Sequence, residues 1–474
     1  MTPEEFRILG HHLIDWIADY RSDIEKHPVL AQVEPGEVRK SFPSTPPAGQ
    51  VSHDEIIRML DERIMPGMTH VQHPMNFGWF PSNSALASVL GDIAGSGLAA
   101  LGISWESCPS LTEVEELVCD WMRQLAGLSP EWRGCIHDTA STACLTSLIV
   151  ARERATGLIQ NRGGIQSEPR PLVVYTTEQS HSSVRKAALL AGFGHENIRN
   201  IETDPDTFAM LPQALAEAIL QDLDSGRTPA AIVATSGTTG VAAFDPLDDI
   251  ADIARRHNIW LHADAAMGGS ALILPECRPL MRGIERTDAI SWNPHKWLGA
   301  NMDCSLMYVR DTQMLQSVMS TNPSYLKSAS DSQTTQLRDW SIPLGRRFRA
   351  LKLLFLLQID GIESVRDLMR QDIDNARWLA GQVGDSADWK VLAPVRLQTV
   401  CIRHEPEGLH GEALDRHTLA WARSVNASGK ALVTPAILNG RWMVRVSIGA
   451  IPTTREHVET LWRLIRDTAS GILK

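Results

Sequence analysis

The sequence predicts an α/β protein: a large domain on a mostly parallel sheet, followed by a smaller C-terminal unit. Three observations carry this. From about residue 85 to 350, short apolar runs alternate with helix-length segments. The runs PLVVYT (171–176), AAIVATS (230–236) and IWLHADAA (259–266) are apolar almost throughout, as strands covered on both faces are. TPAAIVATSGTTG closes its strand in glycine and hydroxyl residues, a common composition at the ligand-bearing edge of such a sheet.

In chain order, MTPEEFRILGHHLIDWIADY predicts an amphipathic helix. Thr2 and Glu5 form a capping box, Pro3 suits the first helical position, and Phe6, Leu9, Leu13, Trp16, Ile17 and Tyr20 share one face. FPSTPPAGQ (42–50) then reads as a linker. An apolar helix beyond such a linker needs a cover, so residues 1–84 are expected to form a helical arm packing on a partner subunit. SALASVLGDIAGSGLAALGI (84–103) contains Asp92 and lacks interfacial anchors, so it predicts a buried helix at a subunit contact and not a membrane span. The large domain is placed at 85–358. ALKLLFLLQ (350–358) ends it as a helix running to a break at Asp360-Gly361. The small domain, 359–474, contains the strand RWMVRVSIG (441–449) and a last helix capped by Thr453 and Glu456.

The bulk numbers bound the function. With 474 residues, 43% hydrophobic and 21% charged, the chain is globular and large enough for two domains. A net charge of −11 argues against nucleic acid and anionic lipid as partners. The seven cysteines include no CxxC pair, which fits reduced thiols in a cytoplasmic protein. The N-terminus has acids where a signal peptide needs bases and no apolar core, so no secretion leader is expected there. GxxxxGK[ST], strand-linked GxGxxG, GxSxG and HExxH are all missing.

What remains is a constellation of single residues. Asp264 ends a strand among alanines, where it can cap the next turn or face a cationic ring nitrogen. Lys296 follows 32 residues later in SWNPHKWLG, room for a crossover back to the same sheet edge. Trp292, Pro294, His295, Trp297 and Leu298 around it would lower the amine's pKa, and a neutral lysine forms a Schiff base with a carbonyl. An Asp for a ring nitrogen and a Lys for an aldehyde are what pyridoxal 5′-phosphate (PLP) requires. DTAS (138–141) precedes an apolar run, so Ala140 and Ser141 can lie at a phosphate-binding helix N-terminus. His181, in EQSHSS, can stack on a ring or be a plain loop residue. His262, Asp264 and His295 also admit a metal-hydrolase reading, but strand alternation supplies no third and fourth ligand and no metal site is expected.

DTAS, EQSHSS, LHADAA, SWNPHKWLG and NPSYLK, in this order along the chain, resemble the PLP-dependent group II decarboxylases, specifically the aromatic-L-amino-acid decarboxylase family. The resemblance runs from MTPEEFR to the final helix, with FPSN (80–83) and IPLGRRFR (342–349) also matching. It implies an aspartate-aminotransferase-like, fold type I structure with a mixed, mostly parallel sheet and an α+β C-terminal domain, assembled as a homodimer with shared active sites. It implies that Lys296 carries the cofactor as a Schiff base, that Asp264 keeps the ring nitrogen protonated and that His181 stacks on the ring. Ala140, Ser141, Asn293 and His295 would surround the phosphate, with Thr239 nearby. Trp79, Phe80, Ser82, Leu101, Ile103 and His181 would meet the substrate. Tyr325, in the polar segment 319–336 that reads as a long loop, would support protonation of Cα. Relatives with phenylalanine there give aldehydes.

The expected reaction is therefore decarboxylation of an aromatic L-amino acid to its amine and CO2. Departures from animal members (Val71 for tryptophan, Ile103 for phenylalanine, Trp79 for tyrosine) reshape an apolar pocket without making it polar. Gly345 is the residue that goes with indolic substrates in plant relatives, a lean toward tryptophan or 5-hydroxytryptophan over DOPA, tyrosine or phenylalanine. An aromatic aldehyde synthase, or a decarboxylase of histidine or another amino acid, is the alternative.

Overall fold

The computed structural model describes residues 1–321 and 333–473. Seven strands form the large sheet: β1 (Arg133–His137), β2 (Leu172–Thr177), β3 (Ile198–Ile201), β4 (Thr228–Thr235), β5 (Trp260–Asp264), β6 (Ala289–Trp292) and β7 (Ser305–Val309). Their order is β1-β7-β6-β5-β4-β2-β3. The β3-β2-β4-β5-β6 run is parallel throughout, and β7 is antiparallel to both β6 and β1. The sheet is thus mixed and mostly parallel, as a fold type I enzyme requires. Every residue of β2, β5, β6 and β7 is buried, so the apolar runs reflect helices packed on both faces. Each fully buried Leu, Ile or Val in them contributes roughly 1.5–3 kcal/mol.

Four further strands, β8 (Trp389–Val391), β9 (Thr399–His404), β10 (Thr434–Leu438) and β11 (Arg441–Ser447), form a second sheet in the order β10-β11-β9-β8. Two compact units result. One comprises 82–373 with 393–399; the other comprises 1–81, 374–392 and 400–474. Within the second unit, the backbone at Phe77 bonds to Leu432 and Ser447, which fixes residues 70–77 against the C-terminal strands.

The N-terminal helix spans Pro3–Ser22 with the expected Thr2–Glu5 capping box, and none of its residues is buried. The expected cap at Thr453 and Glu456 is displaced by one residue. Thr454 caps the helix Arg455–Ile472, its box partner is His457, and the Thr453 hydroxyl donates instead to the Pro74 carbonyl. The stretch 84–103 also departs from expectation. Its helix covers only Leu86–Gly97 and ends before Ala99, whose φ is +51°. Ala87, Ser88 and Gly91 are buried. Gly91 is required there, because a Cβ would lie 2.3 Å from the Leu351 carbonyl oxygen of the helix Ala350–Phe355. The opposite face, Leu86, Leu90 and Ile93, is exposed, so the helix is half-covered and not buried within the chain. The chain breaks where expected after that helix, at Gly361 with φ +74°. Among the described residues, no helix is long and apolar enough to cross a membrane.

Candidate active site

Register brings the candidate residues to one edge. Thr235 of β4 pairs with Asp264 of β5, and Asp264 with Ser291 of β6, so three parallel strands end side by side. β1 is antiparallel to β7, which is antiparallel to β6; β1 therefore runs with β6 and also ends at this edge, at His137. From there the chain enters the helix Ala140–Thr156. β2 ends at Thr177, and a turn through Ser180 delivers His181 as the N-cap of the helix Ser182–Leu190. The carboxyl edge of a parallel sheet is where such folds hold ligands.

Past β6 the backbone is pinned on both sides of Lys296. The Asn293 N–H donates to the Ala266 carbonyl at 3.1 Å, and the Lys296 N–H closes a turn onto the Asn293 carbonyl at 3.0 Å. The Cys304 N–H donates to His295 Nδ1 at 3.0 Å. Trp297 is buried and its indole N–H donates to Asp372 Oδ2 at 2.8 Å. Lys296 itself is half-buried. Partial desolvation, then the Lys296 charge, lower the pKa of His181, with Asp264 opposing. Burial, then the same lysine charge, pull His295 down to about 4. Both rings thus stand in the field of Lys296, and His181 in that of Asp264 as well.

His181 Nδ1 accepts the Ser183 backbone N–H at 3.2 Å, so the neutral ring carries its proton on Nε2. The residue is exposed, an aromatic face anchored by a cap and open at the sheet edge. Asp264 is buried, and its Oδ1 accepts the Ala266 N–H at 3.1 Å.

The residues present fit PLP. Thr139 makes no side-chain cap on the helix Ala140–Thr156, leaving first-turn N–H groups for an anion. Ser141 is exposed there and Thr239 is half-buried. Asn293 Oδ1 and Ser236 Oγ are buried without a hydrogen-bond partner, and an amide flip lets Asn293 turn N–H toward a phosphate. Asp264, Asn293, His295, Lys296, His181, Ala140 and Ser141 thus lie at or just past the carboxyl ends of strands of this sheet, and Thr239 lies four residues past β4. Among the described residues, no three His, Cys, Asp or Glu side chains converge as metal ligands.

The substrate candidates divide. Trp79 is 52% exposed, at φ +53°, with its N–H on Thr434 Oγ1 at 2.6 Å. Phe80 lies under the Arg445 guanidinium, 5.0 Å from its ring centroid. Both belong to the second unit; Ser82, Leu101 and Ile103 belong to the first. Leu101 is exposed, in a turn where Ser107 Oγ donates to the Leu101 carbonyl and accepts the Ile103 N–H. Tyr325 lies outside the described residues.

Two residues escaped the sequence reading. Arg445 is 3% exposed, and its Nε and Nη2 have no hydrogen-bond partner among the described residues. Burial lowers its pKa. An arginine at an inward position of the strand RWMVRVSIG was the available signal. Asp372, the acceptor for Trp297, carries none, because it sits in a helix rich in charge.

The profile of the pyridoxal-dependent decarboxylase conserved domain matches residues 35–405. The chain is 36% identical to tryptophan decarboxylase 2 of Oryza sativa subsp. japonica, over 100% of this chain and 96% of that one. It is 37% identical to a phenylacetaldehyde synthase of Arabidopsis thaliana, over 100% and 97%. Its structure is similar to Oryza sativa TDC solved with PLP and tryptamine, with a TM-score of 0.96, 35% identity and coverage of 100% and 99%.

Proposed function

The chain belongs to the pyridoxal-dependent decarboxylase family and is a PLP enzyme, and from that premise we propose that it converts an aromatic L-amino acid to its amine and CO2, tryptophan or 5-hydroxytryptophan before DOPA, tyrosine or phenylalanine. The observation that carries this is the delivery of Asp264, Lys296 and His181 to one sheet edge, where His181 responds to the charges of both others. Gly345 carries the indolic lean.

When bound, PLP supplies the electron sink that stabilises charge left at Cα as CO2 departs. Lys296 would hold the cofactor through its aldehyde carbon. Asp264 keeps a proton on the ring nitrogen, so that the sink stays cationic. His181 offers a flat face for the ring, and its proton on Nε2 is available to a substrate carboxylate. The N–H groups at Ala140 and Ser141, with Thr239, Asn293 and His295, hold the phosphate. On the family resemblance, Trp79, Phe80, Ser82, Leu101 and Ile103 would meet the substrate, and Tyr325 would deliver the proton to Cα.

Similarity to a phenylacetaldehyde synthase raises the second reading, an oxidative decarboxylation in which O2 is reduced to hydrogen peroxide and water displaces the nitrogen as ammonia to give an aldehyde. Tyrosine at 325 favours the amine. The test is a panel of tryptophan, 5-hydroxytryptophan, DOPA, tyrosine, phenylalanine and histidine with CO2, amine, aldehyde and peroxide all measured. Amine equal to CO2 is expected; aldehyde and peroxide equal to CO2 would replace the first reading with the second.

We also read the protein as a homodimer with shared sites. Phe6, Ile8, Leu13 and Ile14 on the N-terminal helix, and Leu90, Ile93, Leu98 (67% exposed) and Leu101, are apolar surface that a second copy would cover. Seven unpaired thiols support a cytoplasmic setting.

A further inference from the structure

We propose that His262 and Ser291 form a buried hydrogen-bond chain that positions Asp264 and selects which of its oxygens faces the cofactor. This rests on the reading of Asp264 as partner of the ring nitrogen.

Strand geometry builds the chain. His262 and Asp264 are two apart on β5 and share a face. On the neighbouring strand β6, Ser291 is paired with Asp264, and Ala289, the partner of His262, leaves room for an imidazole. Ser291 Oγ lies 3.2 Å from His262 Nε2 and 3.4 Å from Asp264 Oδ1. All three residues are buried.

The single serine proton can point either way. If it went to His262 Nε2, the imidazole proton would sit on Nδ1, a buried atom with no partner. An orphaned buried N–H is costlier than an orphaned lone pair. The favoured arrangement therefore has His262 Nε2–H donating to Ser291, and Ser291 O–H donating to Asp264 Oδ1. The Ala266 N–H also donates to Oδ1. Both hydrogen bonds fall on one oxygen, which leaves Oδ2 for the ring nitrogen. Burial pulls His262 down to about 4, so it acts as a neutral dipole and does not cancel the carboxylate's charge. His262 and Ser291 are positioning residues, since both act through Asp264.

The test compares Ser291→Ala, Ser291→Thr and Asp264→Asn in the full chain. Loss of a hydrogen bond to a buried carboxylate predicts, for Ser291→Ala, about tenfold weaker PLP binding to the apoprotein and about tenfold lower kcat, with KM within about twofold. Ser291→Thr, which keeps the hydroxyl, restores both. Nitrogen-15 NMR of the wild-type apoprotein, with the His262 signal assigned by its loss in His262→Gln, should show a neutral ring protonated on Nε2 at pH 7; this readout needs no Ser291 variant to fold. Wild-type PLP affinity and kcat in Ser291→Ala, or a His262 proton on Nδ1, overturns the chain. If Asp264→Asn also leaves affinity and kcat unchanged, the reading of Asp264 itself fails; if Asp264→Asn abolishes activity while Ser291→Ala does not, the chain alone fails.

Discussion

Replacing Asp372 by asparagine should stabilise the protein, by an amount that grows over a defined pH range. Asp372 is 7% exposed, and its one hydrogen bond is from the Trp297 indole N–H at 2.8 Å. Burial pushes its pKa from 3.8 up to about 7, and the indole bond only partly opposes this. A rise of that size separates the two folded protonation states by roughly 4 kcal/mol. The folded chain holds this proton where the unfolded chain has released it, so the stability it contributes is complete below about pH 4 and lost as pH rises through about 7. Asparagine keeps a carbonyl for the indole and never ionises. The advantage of Asp372→Asn should therefore grow by roughly 1.4 kcal/mol per pH unit between about pH 4 and 7 and then level off. Between pH 5 and 7 that is a gain of about 2 kcal/mol, or about 2 °C in Tm at roughly 2.1 cal/mol/K per residue. Calorimetry of the apoprotein at pH 5, 6, 7 and 8 checks it. A Tm difference that does not vary with pH, or that decreases from pH 5 to 7, refutes the reasoning. Trp297 adjoins Lys296, so Asp372→Leu, which removes the acceptor, should in contrast weaken PLP binding.

Gly345→Ser should fold normally, because an added Cβ at Gly345 meets nothing within 4 Å, and should move the kcat/KM ratio of tryptophan to tyrosine toward tyrosine by up to about tenfold; an unchanged ratio removes Gly345 from the specificity argument. Ile93→Lys places a charge on the exposed apolar face and should shift sedimentation toward monomer with loss of activity, whereas an active monomer would refute the shared-site dimer. Acid should destabilise the fold. Burial holds His70, His262 and His295 at about 4 and His137 at about 3, so below about pH 6.5 the unfolded chain binds protons that the folded chain refuses. Tm should fall steadily from pH 6.5 toward 4, and a flat profile would contradict the burial of these rings.

The parts of the site that were legible in the sequence are those that strand register alone delivers. Asp264 ends an apolar run, and Lys296 follows the strand that has returned to the same edge. A parallel sheet can only align such ends, so their meeting needed no side-chain knowledge. His181 and Ala140 followed because a helix start after a strand is written locally. The final helix shows the limit of such local signals: Thr453 and Thr454 are both good caps, and the choice went to Thr454 because Thr453 is engaged by Pro74, 379 positions away. The helix Leu86–Gly97 shows the same limit for burial. Small residues announced close packing, but they occupy one face, and the sequence does not say that Leu86, Leu90 and Ile93 on the other face are exposed on this chain.

What stayed hidden are charges whose partners come from far along the chain. Asp372 is 75 residues from Trp297, and its helix, DLMRQDIDNAR, contains other acids that remain in water. Nothing local marks the one that is buried. Arg445 is different in kind. Burying a guanidinium with two nitrogens unpaired is costly, and stacking on Phe80 offsets only part of that. If Phe80 meets the substrate as proposed, a cation kept in that condition beside it would receive a substrate anion. Arg445→Met should therefore raise the Tm of the apoprotein while raising the KM for substrate. A lower Tm with unchanged KM would make Arg445 a structural residue and return Phe80 to a purely apolar role.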